Sequence, residues 1–86
     1  MAKIIWKFPF EVTDVIDLEM PRGAQVLAVQ VQHRQPCVWA LVDDTKGKEI
    51  RHFRCFGTGH PINTEGQFVG TFQLLDGDFI GHLFEV

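Results

Sequence analysis

The chain has no tyrosine, only two cysteines and no long apolar run, and each scarcity removes a class of protein. No window approaches the roughly 18 apolar residues of a membrane span, so no transmembrane helix is expected. Met1-Ala2-Lys3 leads into a short alternating segment, Ile4 to Phe10, and not into the apolar core of a leader peptide. The expectation is a soluble protein of the cytoplasm that does not engage a membrane. Two cysteines, Cys37 and Cys55, are too few for a disulfide framework and suit that compartment as free thiols.

The lack of tyrosine has a second consequence. With eight phenylalanines and two tryptophans, most of the large aromatic side chains carry no polar group and can be buried without a hydrogen-bond partner. Hydrophobic residues at 45% and charged residues at 22% exclude a disordered chain. A length of 86 residues implies one domain, which buries only roughly 60–65% of its unfolded surface and so has a thin core.

No stretch sustains a helical period over three turns, whereas alternation with period two recurs along the chain. Ile4, Trp6, Phe8 and Phe10 share one face of a first strand. A second strand runs from about Val12 to Met20, with Ile16, Leu18 and Met20 together, and Pro21-Arg22-Gly23 turns the chain. Ala24 to Gln32 follows, with Leu27, Val29 and Val31 on one side, until His33-Arg34-Gln35-Pro36 breaks it. Cys37 to Val42 is apolar on both faces, as in a central strand. Asp43-Asp44-Thr45-Lys46-Gly47 then turns into a basic strand, Lys48 to Phe56. Gln67 to Leu75 and Phe79 to Val86, joined at Asp76-Gly77-Asp78, complete the pattern. About seven strands with regularly spaced turns predict an all-β fold with little or no helix: a small antiparallel sandwich or open barrel. The last strand is either internal or an uncharged edge, and the edge reading favours a homo-oligomer.

The formal net charge is −3, yet Lys46, Lys48, Arg51 and Arg54, half of all the lysines and arginines, lie within nine residues. This reversal of sign points to an anionic partner. Gly57-Thr58-Gly59 follows at once, with amides unobstructed by Cβ atoms, a hydroxyl, and then the imidazole of His60; such parts build anion-binding nests. If Cys37–Val42 and Lys48–Phe56 form a hairpin about Lys46 or Gly47, Trp39 lies opposite Phe53 and Cys37 opposite Cys55. The other face then sets Val38 and Ala40 against Arg54 and His52, leaving a recess. Arg51 and Arg54 point to opposite faces, so one subunit uses only one of them in a single pocket, and the hairpin register favours Arg54. The candidate ligand-binding residues are His52, Arg54, Gly57, Thr58, Gly59 and His60, with Arg51 as the alternative cation. The competing interpretation is a solvated strand face followed by an ordinary loop. The loop matches neither the Walker pattern nor the dinucleotide fingerprint.

Other chemistry has weaker support. His33, His52, His60 and His82 lack metal-ligand spacing, so neither metal nor cofactor is expected. Cys55 with His60, or Cys37 with His82, could form a nucleophilic pair, but no local motif supports one. Asp43-Asp44 and Asp76-Gly77-Asp78 sit in turns, where aspartate caps its own backbone. A pI near 5.7 disfavours a long nucleic acid as partner.

The segments Trp6–Asp14, Met20–Gln32, Gln35–Asp43, Phe56–Ile62, Val69–Gln73 and Gly81–Val86 together resemble a family of short phage and prophage proteins carried as a domain of unknown function. The most specific pieces are Pro36 to Asp43 and Gly57 to Ile62. The resemblance implies a phage-type context and no catalytic residue. By analogy with short phage inhibitors, the leading expectation is a non-enzymatic protein that sequesters an anionic small ligand such as a nucleotide or cyclic nucleotide signal, as an anti-defence protein does. The alternatives are a structural or host-protein-binding module acting through an exposed β edge, and an enzyme using His60 as general acid or base.

Overall fold

The computed structural model describes residues 3–86. Met1 and Ala2, part of the N-terminal segment read above as carrying no leader, lie outside the described residues. Seven strands follow one another: β1 (Ile4–Pro9), β2 (Val15–Pro21), β3 (Gln25–Gln32), β4 (Gln35–Val42), β5 (Lys48–Gly57), β6 (Gln67–Leu74) and β7 (Phe79–Glu85). They form two antiparallel sheets, β1-β4-β3 and β2-β5-β7-β6, packed face to face as a sandwich. The all-β expectation holds. The short segment Leu75–Gly77 is no α-helix, because Leu75, Asp76 and Gly77 have φ of 54°, 54° and 91° and form a left-handed turn closed by Asp78 N donating to Leu75 O at 3.0 Å. Among the described residues no helix is long and apolar enough to cross a membrane.

Alternation along the strands fills the space between the sheets. Val38, Ala40 and Val42 of β4 face Phe53 of β5 and Leu83 of β7, all inaccessible to solvent, with Met20 and Ile16 of β2 beside them. Phe10, just past β1, meets Phe72 of β6 edge to face at 5.9 Å and joins the two layers at one end. Burying each of these large side chains contributes roughly 1.5–3 kcal/mol, so the core rests on a small set of residues.

Several expectations about pairing are corrected. β4 and β5 do not form a hairpin: β4 pairs with β1 and β3, whereas β5 pairs with β2 and β7 in the opposite sheet. The turn Asp43–Gly47 therefore carries the chain across the sandwich. Trp39 lies opposite Lys7 and Ala28, Phe53 opposite Ile16 and Glu85, and Cys37 and Cys55 are in separate sheets. The recess expected between Val38 or Ala40 and the basic side chains does not form. A strand crossing to the second sheet preserves the same alternation as one folding back, so periodicity could not separate the two.

His33 and Arg34, at φ of 51° and 68°, make a two-residue turn, and the strand after it already starts at Gln35. Leu27 is 44% exposed and not inward, because a bulge between Val26 and Ala28 shifts the register. β2 begins at Val15, later than expected. β7 is internal, between β5 and β6, which removes the argument for a homo-oligomer from a free C-terminal edge.

Candidate functional site

Strand β5 divides its basic side chains between two environments. Arg51 points inward, where Nε and Nη2 donate to the two carboxylate oxygens of Glu85 at 2.5 and 3.1 Å and Nη1 donates to the Ala24 carbonyl at 2.8 Å. Glu49 adds a contact at 3.6 Å. The hydrogen bonds to Glu85 hold the guanidinium pKa above its ordinary value, against the cost of burial. Arg51 thus joins β5, β7 and the β2–β3 connection, and its charge is already matched.

His52 and Arg54 point outward. His52 is exposed, its Nδ1 2.7 Å from Asp17 Oδ1 on β2. Arg54 is half-buried; Nε donates to the Asp14 carbonyl at 3.3 Å, and the guanidinium carbon lies 5.6 Å from the centre of the Phe56 ring. No ion pair forms at Arg54 among the described residues.

Beyond Phe56 the strand ends in a tight turn, closed by His60 N donating to Gly57 O at 3.2 Å. Gly59 has φ of +84°, a conformation that glycine adopts freely and other residues adopt at a cost. Gly57 is required by close approach: a Cβ there would meet Cε1 and Nδ1 of the His60 ring at 3.0 Å, so the imidazole folds back over bare backbone. Thr58 turns the other way. Its hydroxyl is 2.8 Å from Nε2 of His82, whose Nδ1 lies 2.8 Å from the Thr71 hydroxyl. Imidazole and hydroxyls can each donate or accept, so this bridge fastens the turn to β7 and β6.

Arg54, Gly57 and His60 come together on one groove of about 580 Å³. Val12, Phe56, Pro61 and Phe79 supply an apolar wall, and Asp14 and Asn63 stand at the polar side. Of the seven residues predicted from sequence, these three line the groove; Thr58 and Gly59 shape the turn without lining it, His52 is engaged by Asp17, and Arg51 belongs to the interior ion pair. Cys55 also lines the groove, but burial, reinforced by the Asp14 carboxylate, pushes its thiol pKa up, which opposes formation of a nucleophilic thiolate. Among the described residues, no three His, Cys, Asp or Glu side chains gather as a metal site.

Sequence reasoning missed Asp14 and Thr71, and weighed His82 only for a metal and as a partner of Cys37, which lies in the other sheet. The Asp76-Gly77 turn signal could have paired β6 with β7 and so brought Thr71 beside His82. Nothing in the local sequence places Asp14 against Arg54, because that contact depends on β2 pairing with β5.

A family model described as a domain of unknown function, DUF7352, matches residues 1–86. The chain belongs to the DUF7352 family. The match covers its whole length, the groove and the turn included. No curated protein and no solved structure matches the chain.

Proposed function

We propose that this DUF7352 chain binds a small anionic ligand of the nucleotide class in the groove beside the Gly57–His60 turn and holds it without changing it. The observation that carries the reading is the convergence of Arg54, free of any ion-pair partner among the described residues, with His60 and a glycine turn on one groove. A guanidinium presents a planar fork suited to phosphate oxygens. The apolar wall of Val12, Phe56 and Phe79 suits a heterocyclic base. Bare phosphate would use only the polar side of so large a groove. The Asp14 carboxylate opposes an anion placed too far from Arg54, and so favours one held between Arg54 and the turn.

Sequestration, and not turnover, is supported by the raised thiol pKa of Cys55 and by the lack of a second acid or base paired with His60 at hydrogen-bond distance among the described residues. The phage-type, anti-defence role in a host cytoplasm belongs to this proposal and rests on the resemblance noted in the sequence. The test is a thermal-shift screen with phosphate, pyrophosphate, mononucleotides and cyclic dinucleotides, followed by denaturation of the complex and mass analysis of what is released. Stabilisation by a nucleotide recovered intact supports the reading. Recovery of a product makes the protein an enzyme, and unchanged melting with every probe ends the proposal in favour of a protein partner.

A further inference from the structure

The outer face of the four-stranded sheet carries an aromatic row that the core does not use. Phe68 of β6 and Phe84 of β7 are cross-strand partners with ring centroids 5.3 Å apart. Phe84 meets Phe56 of β5 edge to face at 5.7 Å, and Arg54 lies over Phe56. Phe56 is nearly buried, Phe84 half-buried, and Phe68 55% exposed, so the row rises from the groove into solvent. It is continuous with the groove, because Phe56 and Arg54 line both.

The aromatic row itself carries no carboxylate, and Asp14 is the one that lines the groove at its Arg54 end. The outward positions of β7 and β6 are Ile80, His82, Phe84, Phe68, Thr71 and Gln73, with no carboxylate among them. Asp17 and Glu19 stand on β2, on the far side of β5. Beside the row, Thr58, His82 and Thr71 form a hydrogen-bonded array whose hydroxyl oxygens keep lone pairs for further partners. Exposed aromatic rings on an open sheet, a cation at one end and neutral polar groups alongside are what unpaired nucleobases need: rings to stack on, and donors and acceptors for base edges and sugars.

We propose that the ligand is the end of a short single-stranded oligonucleotide, with its terminal phosphate held by Arg54 and the Gly57–His60 turn and its following bases stacked along Phe84 and Phe68. This rests on the groove reading and adds a requirement for length. A duplex does not fit, because its bases are already stacked on one another. The net charge of −3 limits the length, since a long phosphate backbone is repelled away from this path.

The test is equilibrium binding at fixed low salt with three probes: adenosine monophosphate, a 5′-phosphorylated adenosine tetranucleotide, and the same tetranucleotide sequence within a duplex. The tetranucleotide is expected to bind about tenfold or more tighter than the monophosphate, with the duplex weaker than either. Phe68→Ala, a solvent-exposed change that leaves the core untouched, should weaken the tetranucleotide by about fivefold to a hundredfold and leave the monophosphate unaffected. Arg54→Ala should weaken both. A tetranucleotide that binds no tighter than the monophosphate and ignores Phe68→Ala overturns this inference while leaving the groove reading in place. Silence of all three probes overturns this inference, and the thermal-shift screen with cyclic dinucleotides and pyrophosphate then decides the groove reading. A solution dimer that dissociates in Phe68→Glu assigns the row to self-association and also overturns the inference.

Discussion

Arg51 and Arg54, three residues apart on one basic strand, do opposite work: Arg51 is held on the inner face by both carboxylate oxygens of Glu85, and Arg54 lies outside against the Phe56 ring with no carboxylate bonded to it among the described residues. Their variants should therefore separate stability from binding. Arg51→Ala removes charge-assisted hydrogen bonds and leaves Glu85 unmatched, which should cost about 1.5–3 kcal/mol of folding stability. Arg54→Ala loses a cation–π contact worth about 1 kcal/mol or less. Urea denaturation of the two variants checks the contrast, and equal losses would contradict it.

The glycine turn should tolerate little change. Gly59→Val forces a β-branched residue to φ of +84° and should cost about 1–2 kcal/mol while weakening ligand binding. Gly57→Ala acts differently, by pushing the His60 ring away from a 3.0 Å contact. In that variant the His60 ring resonances should move in an NMR spectrum while the thermal transition remains cooperative. Unchanged His60 resonances would remove the packing of that ring from the site.

The strands were legible because alternation is a local property. Ile4–Pro9, Lys48–Gly57 and Phe79–Glu85 announce themselves through residues two apart, and so does the division of Arg51 from Arg54. The partners of those strands were not legible. Asp43–Gly47 looks like a hairpin turn, but Arg22 N donates to Gly47 O at 2.7 Å, tying that turn to the end of β2 and delivering Lys48 into the other sheet. Of the groove, local sequence marked the Gly57–His60 turn, whereas Arg54 was favoured through a β4–β5 hairpin that does not form. The rest, Val12, Asp14 and Phe79, arrives from connections that only the sheet order reveals.

Leu75 offers a test of strain away from the groove. It is 74% exposed and held at φ of 54°, a conformation disfavoured for a bulky side chain. Leu75→Asn should relieve this and raise stability by about 0.5–1 kcal/mol, or a few degrees in Tm. A lower Tm would contradict strain at Leu75.

Acid stability should depend on Asp43. Its Oδ1 accepts from the Thr45 hydroxyl at 2.6 Å and the Thr45 amide at 3.0 Å, and these bonds, with help from Lys46 and Lys3, hold its pKa below the ordinary carboxylate value. A depressed folded-state pKa contributes stability above the unfolded value of about 3.9, and that stability is lost as pH falls through the folded value. Thr45→Val removes the largest cause. The Asp43 titration should then move up towards its ordinary midpoint, and the variant should lose less stability than the wild type on acidification below about pH 4. NMR titration of the Asp43 carboxyl measures the first effect, and urea denaturation at stepped pH measures the second. An unmoved midpoint would place the cause elsewhere.

Isothermal titration of adenosine monophosphate, ATP and pyrophosphate into the wild type, Arg54→Ala and Lys3→Ala decides whether Arg54 and the adjoining turn bind a nucleotide. The wild type should bind a nucleotide saturably, Lys3→Ala should bind it with the same affinity, and Arg54→Ala should bind it about ten- to a hundredfold more weakly. Binding that is equally strong in Arg54→Ala, or no saturable heat from any of the three ligands with the folded wild type, would contradict nucleotide binding by Arg54 and the turn.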